Sequence, residues 1–187
     1  DRLLLEKLVS DPRHIEIQIF ADQFHNLVHM FERDCSIQRR YQKVIEEAPG
    51  PTVRPELRQN VINAALTAAR EINYVGAGTV EFVVDRQDNF YFLEMNTRIQ
   101  VEHRVTEMLT RQDLVEWQFR IAAGEPLPLS QEQITMDGHA IEARVYAENP
   151  ARKFLPSPGV ITHLRLPKDR PGLCVDTSLA SGDEGTP

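Results

Sequence analysis

Strict alternation over Ile15-Glu-Ile-Gln-Ile-Phe20 predicts a β-strand with one buried and one solvated face, His14, Glu16 and Gln18 sharing the polar side. Residues 21–26 read as a turn and 27–32 as the returning strand. The stretch Arg33-Asp-Cys-Ser-Ile-Gln-Arg-Arg-Tyr-Gln-Lys43 is polar and basic with few apolar anchors, and by itself reads as a solvated loop. Behind Pro55, the positions Leu57, Val61, Ala65, Ala68, Ala69 and Ile72 recur at helical spacing, and Gly76 and Gly78 close that region. Residues 79–85 and 90–95 read as two strands of a hairpin around Arg86-Gln-Asp-Asn89. A second helix is expected over residues 113–123, with Asp113 as its cap and Gly124 just beyond. After Pro126 and Pro128, residues 139–148 alternate like a strand, and the Pro/Gly-rich tail reads as short strands and turns. Strands, then helix, then strands predict an α+β fold, mostly antiparallel.

The hairpin carries the first chemical signal. A two-residue turn at Gln87-Asp88 sets Asp85 opposite Phe90, Val83 opposite Phe92 and Glu81 opposite Glu94. Val80, Phe82, Val84, Tyr91, Leu93 and Met95 then form an apolar face. Two carboxylates held side by side are destabilising unless a cation sits between them. If the chain stays extended, the even positions Glu94, Asn96, Arg98, Gln100 and Glu102 project to one side. Glu81, Glu94 and Asn96 make an all-oxygen set suited to Mg²⁺ or Mn²⁺. Arg98 beside them suits a small anion, and Glu102 a general base. From periodicity alone, a charged hairpin face is also simply a solvated one, Arg144 with Glu142 reads as an ion pair, and His29 and His163 as structural or exposed.

Charge and composition narrow the classes. Of 187 residues, 21 are Lys or Arg and 28 Asp or Glu, a formal net charge of −7 that argues against a nucleic-acid binder. Hydrophobic residues make up 41%, a globular proportion, and no apolar run approaches the roughly 20 residues of a membrane span. Cys35 and Cys174 fit no zinc spacing and read as free thiols of a reducing compartment. No internal repeat and no signal peptide are visible. The chain opens at Asp1 and stops at Gly-Thr-Pro without a closing element, so it reads as a piece of a longer polypeptide.

Five segments together resemble the biotin carboxylase family, the biotin-carboxylating parts of acyl-CoA carboxylases, pyruvate carboxylase and relatives. They are Glu32-Arg-Asp-Cys-Ser-Ile-Gln-Arg-Arg-Tyr-Gln-Lys43, Glu46-Glu-Ala-Pro49, Gly76-Ala-Gly-Thr-Val-Glu-Phe82, Glu94-Met-Asn-Thr-Arg-Ile-Gln-Val-Glu-His103 and Gly138-His-Ala-Ile-Glu-Ala-Arg-Val-Tyr-Ala-Glu148. Asp113-Leu-Val-Glu-Trp-Gln118 and Ala122-Ala-Gly-Glu-Pro-Leu-Pro-Leu-Ser-Gln131 are similar to the methylcrotonoyl-CoA branch. The resemblance implies the C-terminal lobe of an ATP-grasp fold, an antiparallel sheet with flanking helices, over residues 1–134, and the start of the biotin carboxylase C-terminal domain over 135–187.

It also implies ATP- and bicarbonate-dependent carboxylation of biotin through carboxyphosphate; the alternatives are another ATP-grasp ligase or a catalytically silent folding or interaction module. Glu81 and Glu94 would be metal ligands with Asn96 alongside. Arg98, Gln100 and Val101 would bind bicarbonate, Glu102 would deprotonate it, Lys43 would sit by the transferring phosphoryl group and Arg144 would stabilise the biotin enolate. Glu6, Leu8, His14, Gln38 and Tyr41 match nucleotide-contacting positions, and Glu81 and Glu94 also face the nucleotide through the metal. Implied cofactors are ATP, Mg²⁺ or Mn²⁺, and biotin attached to a carrier domain outside this chain. Implied partners are a carboxyltransferase subunit and no nucleic acid or membrane, and the implied location is the bacterial cytoplasm or the mitochondrial matrix. Tyr41, Arg104 and Arg111 stand where the family usually carries His, Pro and Gly. Lacking the upstream glycine-rich lid, the isolated chain is expected to be inactive and to self-associate.

Overall fold

The structure is a computed structural model that describes every residue except Asp1, Arg2, Glu6, Lys168, Asp169, Thr186 and Pro187. Two compact units part between Ala143 and Arg144. The first is built on six antiparallel strands: β1 (Arg13–Ala21), β2 (Leu27–Arg39), β3 (Gln42–Ala48), β4 (Gly76–Val84), β5 (Phe90–Asn96) and β6 (Ala140–Ala143), in the order β5-β4-β1-β2-β3-β6. Its helices are α1 (Pro55–Glu71), α2 (His103–Thr110) and α3 (Leu114–Ala122). The second unit contains two short antiparallel pairs, β7 (Glu148–Asn149) with β8 (Leu155–Pro156), and β9 (Gly159–Val160) with β10 (Glu184–Gly185).

Side-chain alternation sorts the two faces of the sheet. Ile15, Ile17 and Ile19 of β1 share one face with Val80, Phe82 and Val84 of β4, and all six bury against Leu57, Val61, Ile62, Ala65 and Ala69 of α1. Pro55 opens that helix, and Arg54 before it is extended, as a residue preceding proline prefers. Ile72 falls just past the helix and is exposed. The opposite face is polar along most of β1 and becomes apolar at Phe20, which meets Trp117 of α3 edge-on with ring centroids 5.4 Å apart. Asp113 caps α3 by accepting the Glu116 amide, as its position predicts.

Five sequence expectations are corrected, the first being the strand over residues 139–148, which stops at Ala143. The even face of β1 is not solvated: Glu16 and Gln18 are fully buried, because Arg33 and Lys43 and, from α2 and the segment before it, Thr106 and Glu102 close over that face. Residues 33–43 are not a loop. β2 runs on to Arg39, turns over Arg40 and Tyr41, both at positive φ, and pairs Arg39 with Gln42. That two-residue hairpin turn lacks the Asn-Gly signature that would announce it. The chain does not stay extended to Glu102, since β5 ends at Asn96 and α2, too short for its period to be read, begins at His103. Gly76 and Gly78 lie inside β4, where a side chain at Gly78 would collide with the Tyr74 ring.

The β4–β5 hairpin reaches its expected central pairing by another route. Glu81 stands opposite Glu94, but beyond them the register shifts and Phe82 pairs with Phe92 and Val83 with Tyr91. The turn is a five-residue loop, Asp85 to Asn89, in which the Asp85 carboxylate accepts the Gln87 and Asn89 amides and Asp88 takes positive φ. The longer loop is offset by a bulge at Leu93, which restores the pairing at Glu94. The bulge moves Phe92 to the face of Phe82, and along this edge strand Tyr91, Phe92 and Leu93 remain exposed.

Candidate active site

Strand register places a row of charged residues across the sheet. Glu94 pairs with Glu81, Glu81 with Glu16, and Glu16 with Arg33, so β5, β4, β1 and β2 contribute three carboxylates and a guanidinium in one line. Adjacent like charges repel. The repulsion is answered from β3, whose Lys43 ammonium donates to Glu16, to Glu81 Oε1 at 2.9 Å and to Glu102 Oε1 at 2.7 Å. These three bonds use all of its donors. Burial alone would lower the Lys43 pKa, but the Glu16 and Glu102 charges outweigh it and hold the ammonium protonated.

Glu81 is the hub of the face. Its Oε1 also accepts from Asn96 Nδ2 at 2.9 Å and Gln100 Nε2 at 2.8 Å, and its Oε2 lies 2.6 Å from His14 Nε2. Gln38 Nε2 sits 2.9 Å from His14 Nδ1 while donating to the Cys35 carbonyl. Nδ1 faces that amide donor, so Nε2 is the ring nitrogen turned toward Glu81. Burial would raise the Glu81 pKa, yet the His14 and Lys43 contacts hold it far below the usual carboxylate range. Glu102 behaves alike: burial opposes ionisation, and Lys43 with Arg33 overcomes it.

Glu81, Glu94 and Asn96 come together at the sheet edge, where the Asn96 amide bridges Glu81 and Glu94 Oε1 at 2.9 and 3.2 Å. Two opposed carboxylates suit a hard divalent cation, and Asn96 would join them by turning inward the oxygen that here accepts from Arg98, with Glu94 exposed enough to rearrange around the ion. Arg98 is exposed and donates to Asn96 Oδ1 at 3.3 Å. Gln100 and Glu102 are buried behind it, and Val101 points outward. Lys43, His14 and Gln38 join this cluster. Tyr41 is exposed at the β2–β3 hairpin tip and Leu8 is exposed ahead of β1, neither hydrogen-bonded to the cluster in any contact seen. Glu6 lies outside the described residues. Arg144 belongs to the second unit.

The sequence reading passed over Arg33, Thr79 and Thr106 and gave Glu16 and Gln18 no role beyond a wet face. All five are buried in one network around the Arg33 guanidinium. Polar alternation in β1 in phase with Thr79 and Glu81 of β4 was the available signal, readable only once the two strands are known to pair.

Two domain families match in succession. The family described as carbamoyl-phosphate synthase L chain, ATP binding domain, covers residues 1–130, and the biotin carboxylase C-terminal domain covers 142–187. Rat mitochondrial methylcrotonoyl-CoA carboxylase subunit alpha is 57% identical over 184 residues, 98% of this chain and 26% of that protein. Biotin carboxylase 2 of Bacillus subtilis is 55% identical over 185 residues, 99% of this chain and 41% of that one. This chain thus spans well under half the length of either relative. Among solved structures, the biotin carboxylase domain dimer of Hydrogenobacter thermophilus 2-oxoglutarate carboxylase, in complex with MgADP, ADP and bicarbonate, superposes with a TM-score of 0.92 at 49% identity. It covers 97% of this chain and 40% of the other. The biotin carboxylase of Campylobacter jejuni superposes at 0.83 with 50% identity over 88% of this chain and 36% of that one. The ATP-grasp sheet, its row of carboxylates and these matches over nearly the whole sequence agree, and the chain belongs to the biotin carboxylase family.

Proposed function

We propose that this chain supplies one lobe of the site at which biotin is carboxylated by bicarbonate at the expense of ATP, within a longer acyl-CoA carboxylase of the methylcrotonoyl-CoA type. The observation that carries the reading is the Glu81–Glu94 pair with Asn96, set beside Lys43, Gln100 and Glu102 on one face. Residues 1–134 would form the second ATP-grasp lobe and 135–187 the opening of the C-terminal domain. A bound Mg²⁺ or Mn²⁺ would supply charge neutralisation at the phosphates, held by Glu81, Glu94 and Asn96.

The chain's own groups supply the rest. Arg98 and Gln100 N–H donors and the Val101 backbone would orient bicarbonate, and Glu102 Oε would take its proton. Lys43 would neutralise charge on the transferring phosphoryl group, so its three carboxylate contacts must loosen as the phosphates arrive. His14, Gln38 and the positions of Glu6, Leu8 and Tyr41 would hold the nucleotide. Arg144 would meet negative charge developing on carrier-bound biotin. A carboxyltransferase subunit would be its partner and the mitochondrial matrix or the bacterial cytoplasm its location, and relatives named as mitochondrial and bacterial proteins support the location. Among the described residues, no helix is long and apolar enough to cross a membrane.

The test is a Bacillus subtilis biotin carboxylase 2 in which this chain replaces the matched segment. Bicarbonate-dependent ATP hydrolysis and biotin carboxylation are expected. A folded hybrid that hydrolyses no ATP with bicarbonate and biotin present would refute the reading.

A further inference from the structure

We propose that Arg33 is a positioning residue that fixes the orientation of the Gln100 side chain in the bicarbonate site, a role that rests on the function proposed above. Arg33 lies on β2, fully buried. A guanidinium has five N–H donors and no acceptor, and here every donor is engaged. Nε donates to Glu16 Oε1 at 2.6 Å. Nη1 donates to Gln18 Oε1 and Thr106 Oγ1, both at 2.9 Å. Nη2 donates to Thr79 Oγ1 and Gln100 Oε1, both at 3.3 Å. The acceptors come from β1, β4, α2 and the segment before α2, so one side chain ties four stretches of chain together.

Of the two ends of an amide, only the oxygen can accept from such a donor, which decides how Gln100 must sit. Its Oε1 faces Arg33 and its Nε2 faces Glu81 Oε1 at 2.8 Å. The flipped amide would set N–H against guanidinium N–H and oxygen against carboxylate oxygen, two repulsions in place of two bonds. Glu16 is divided in the same sense, one oxygen on Arg33 and the other on Lys43. An apolar residue would fill the space with less desolvation cost, whereas the planar fork sets the direction of several neighbours at once. Lysine keeps the charge but has no fork, so it satisfies Glu16 while releasing the Thr79 and Gln100 side.

The test uses the hybrid carboxylase with Arg33→Lys, Gln100→Leu and the double variant. Arg33→Lys is expected to raise KM for bicarbonate by about tenfold, with KM for ATP moving less than about twofold. In the Gln100→Leu background the same change should add less than about twofold, because the group it positions is gone. Equal effects in both backgrounds, or a loss of ATP and bicarbonate affinity in parallel, would overturn the proposal. If Arg33→Lys does not fold, Thr106→Val is used, and about a threefold rise in bicarbonate KM that vanishes with Gln100→Leu is expected. A second readout needs no turnover. In ¹⁵N spectra of this chain, the Gln100 side-chain amide protons should exchange slowly with Arg33 present, and should exchange faster and shift toward free-glutamine values in Arg33→Lys or Thr106→Val. Unchanged signals would refute the positioning role even if the hybrid enzyme proved inactive.

Discussion

Glu16 and Glu81 stand directly opposite each other on neighbouring antiparallel strands, both buried, with the Lys43 ammonium donating to each. Neither carboxylate reaches water to relieve the repulsion, so the pairing depends on cations brought in from strands β2 and β3.

Lys43→Met should therefore be severe. Removing one partner from a buried charge cluster costs about 3–5 kcal/mol, because Glu16, Glu81 and Glu102 are left without their shared cation. Urea unfolding of the chain at neutral pH checks this. Part of the lost stability should return in mild acid as the orphaned carboxylates take up protons, and a variant equally destabilised at every pH would contradict the account.

Acid should weaken the wild-type fold in two stages. Burial pushes the His29 pKa down from 6.5 to about 4, so the ring is neutral in the fold and charged in the unfolded chain over that interval. The unfolded state binds more protons there, and stability falls as pH drops from about 6.5 to about 4. Glu81 and Glu102, held below 4.5 in the fold, contribute fully above that pH and lose their contribution as pH falls through their folded values. His29→Gln should flatten the decline of the urea midpoint between pH 7 and 5 and leave the steeper loss at lower pH in place.

Arg111 terminates α2 at φ 57 and ψ 29, the left-handed conformation that glycine occupies without strain. Its ion pair with Asp137 is exposed at both ends and offsets little. Arg111→Gly is expected to stabilise the chain by about 1 kcal/mol, seen as a higher melting temperature. A lower one would mean the Asp137 contact outweighs the backbone strain.

Glu94→Gln separates chemistry from folding. Glu94 is exposed and its neighbour Glu81 is not. In the hybrid carboxylase, Glu94→Gln should reduce kcat by at least about a hundredfold by weakening charge neutralisation at the phosphates, while thermal unfolding of this chain shifts little. Glu81→Gln should depress both, and near-normal turnover of Glu94→Gln at saturating Mg²⁺ would remove the cation assignment.

Arg144→Ala tests the second unit. It should slow biotin carboxylation more than bicarbonate-dependent ATP hydrolysis, because its proposed partner is charge on biotin. Equal losses in both assays would assign Arg144 to the fold instead.

Local patterns in the sequence carried part of this architecture. The α1 stripe and the Asp113 cap follow from spacing and side-chain chemistry that neighbours in sequence supply, whereas the Glu81–Glu94 pairing was expected from a two-residue turn and arises instead from a longer loop and a compensating bulge. The strained position of Arg111 followed from the family glycine it replaces. Arg33 was illegible for a different reason. An arginine in a polar, basic stretch resembles solvated surface, and its burial depends on acceptors as far away as Thr106, gathered only after the sheet has formed. The β2–β3 turn was hidden because Arg40 and Tyr41 adopt left-handed backbone without the residues that usually mark it.

The bulge at Leu93 divides the β4–β5 hairpin into two lengths that keep different phase. Toward the tip, Phe92 matches Phe82; toward the site, Glu94 matches Glu81. The bulge works as a slack link in the hairpin, taking up the odd residue that the Asp85–Asn89 loop introduces before it reaches the carboxylates. A one-residue deletion in that loop has an outlet, since losing the bulge restores a continuous ladder without moving Glu94 from its partner. A change of length at the tip therefore need not carry the carboxylate pair out of step.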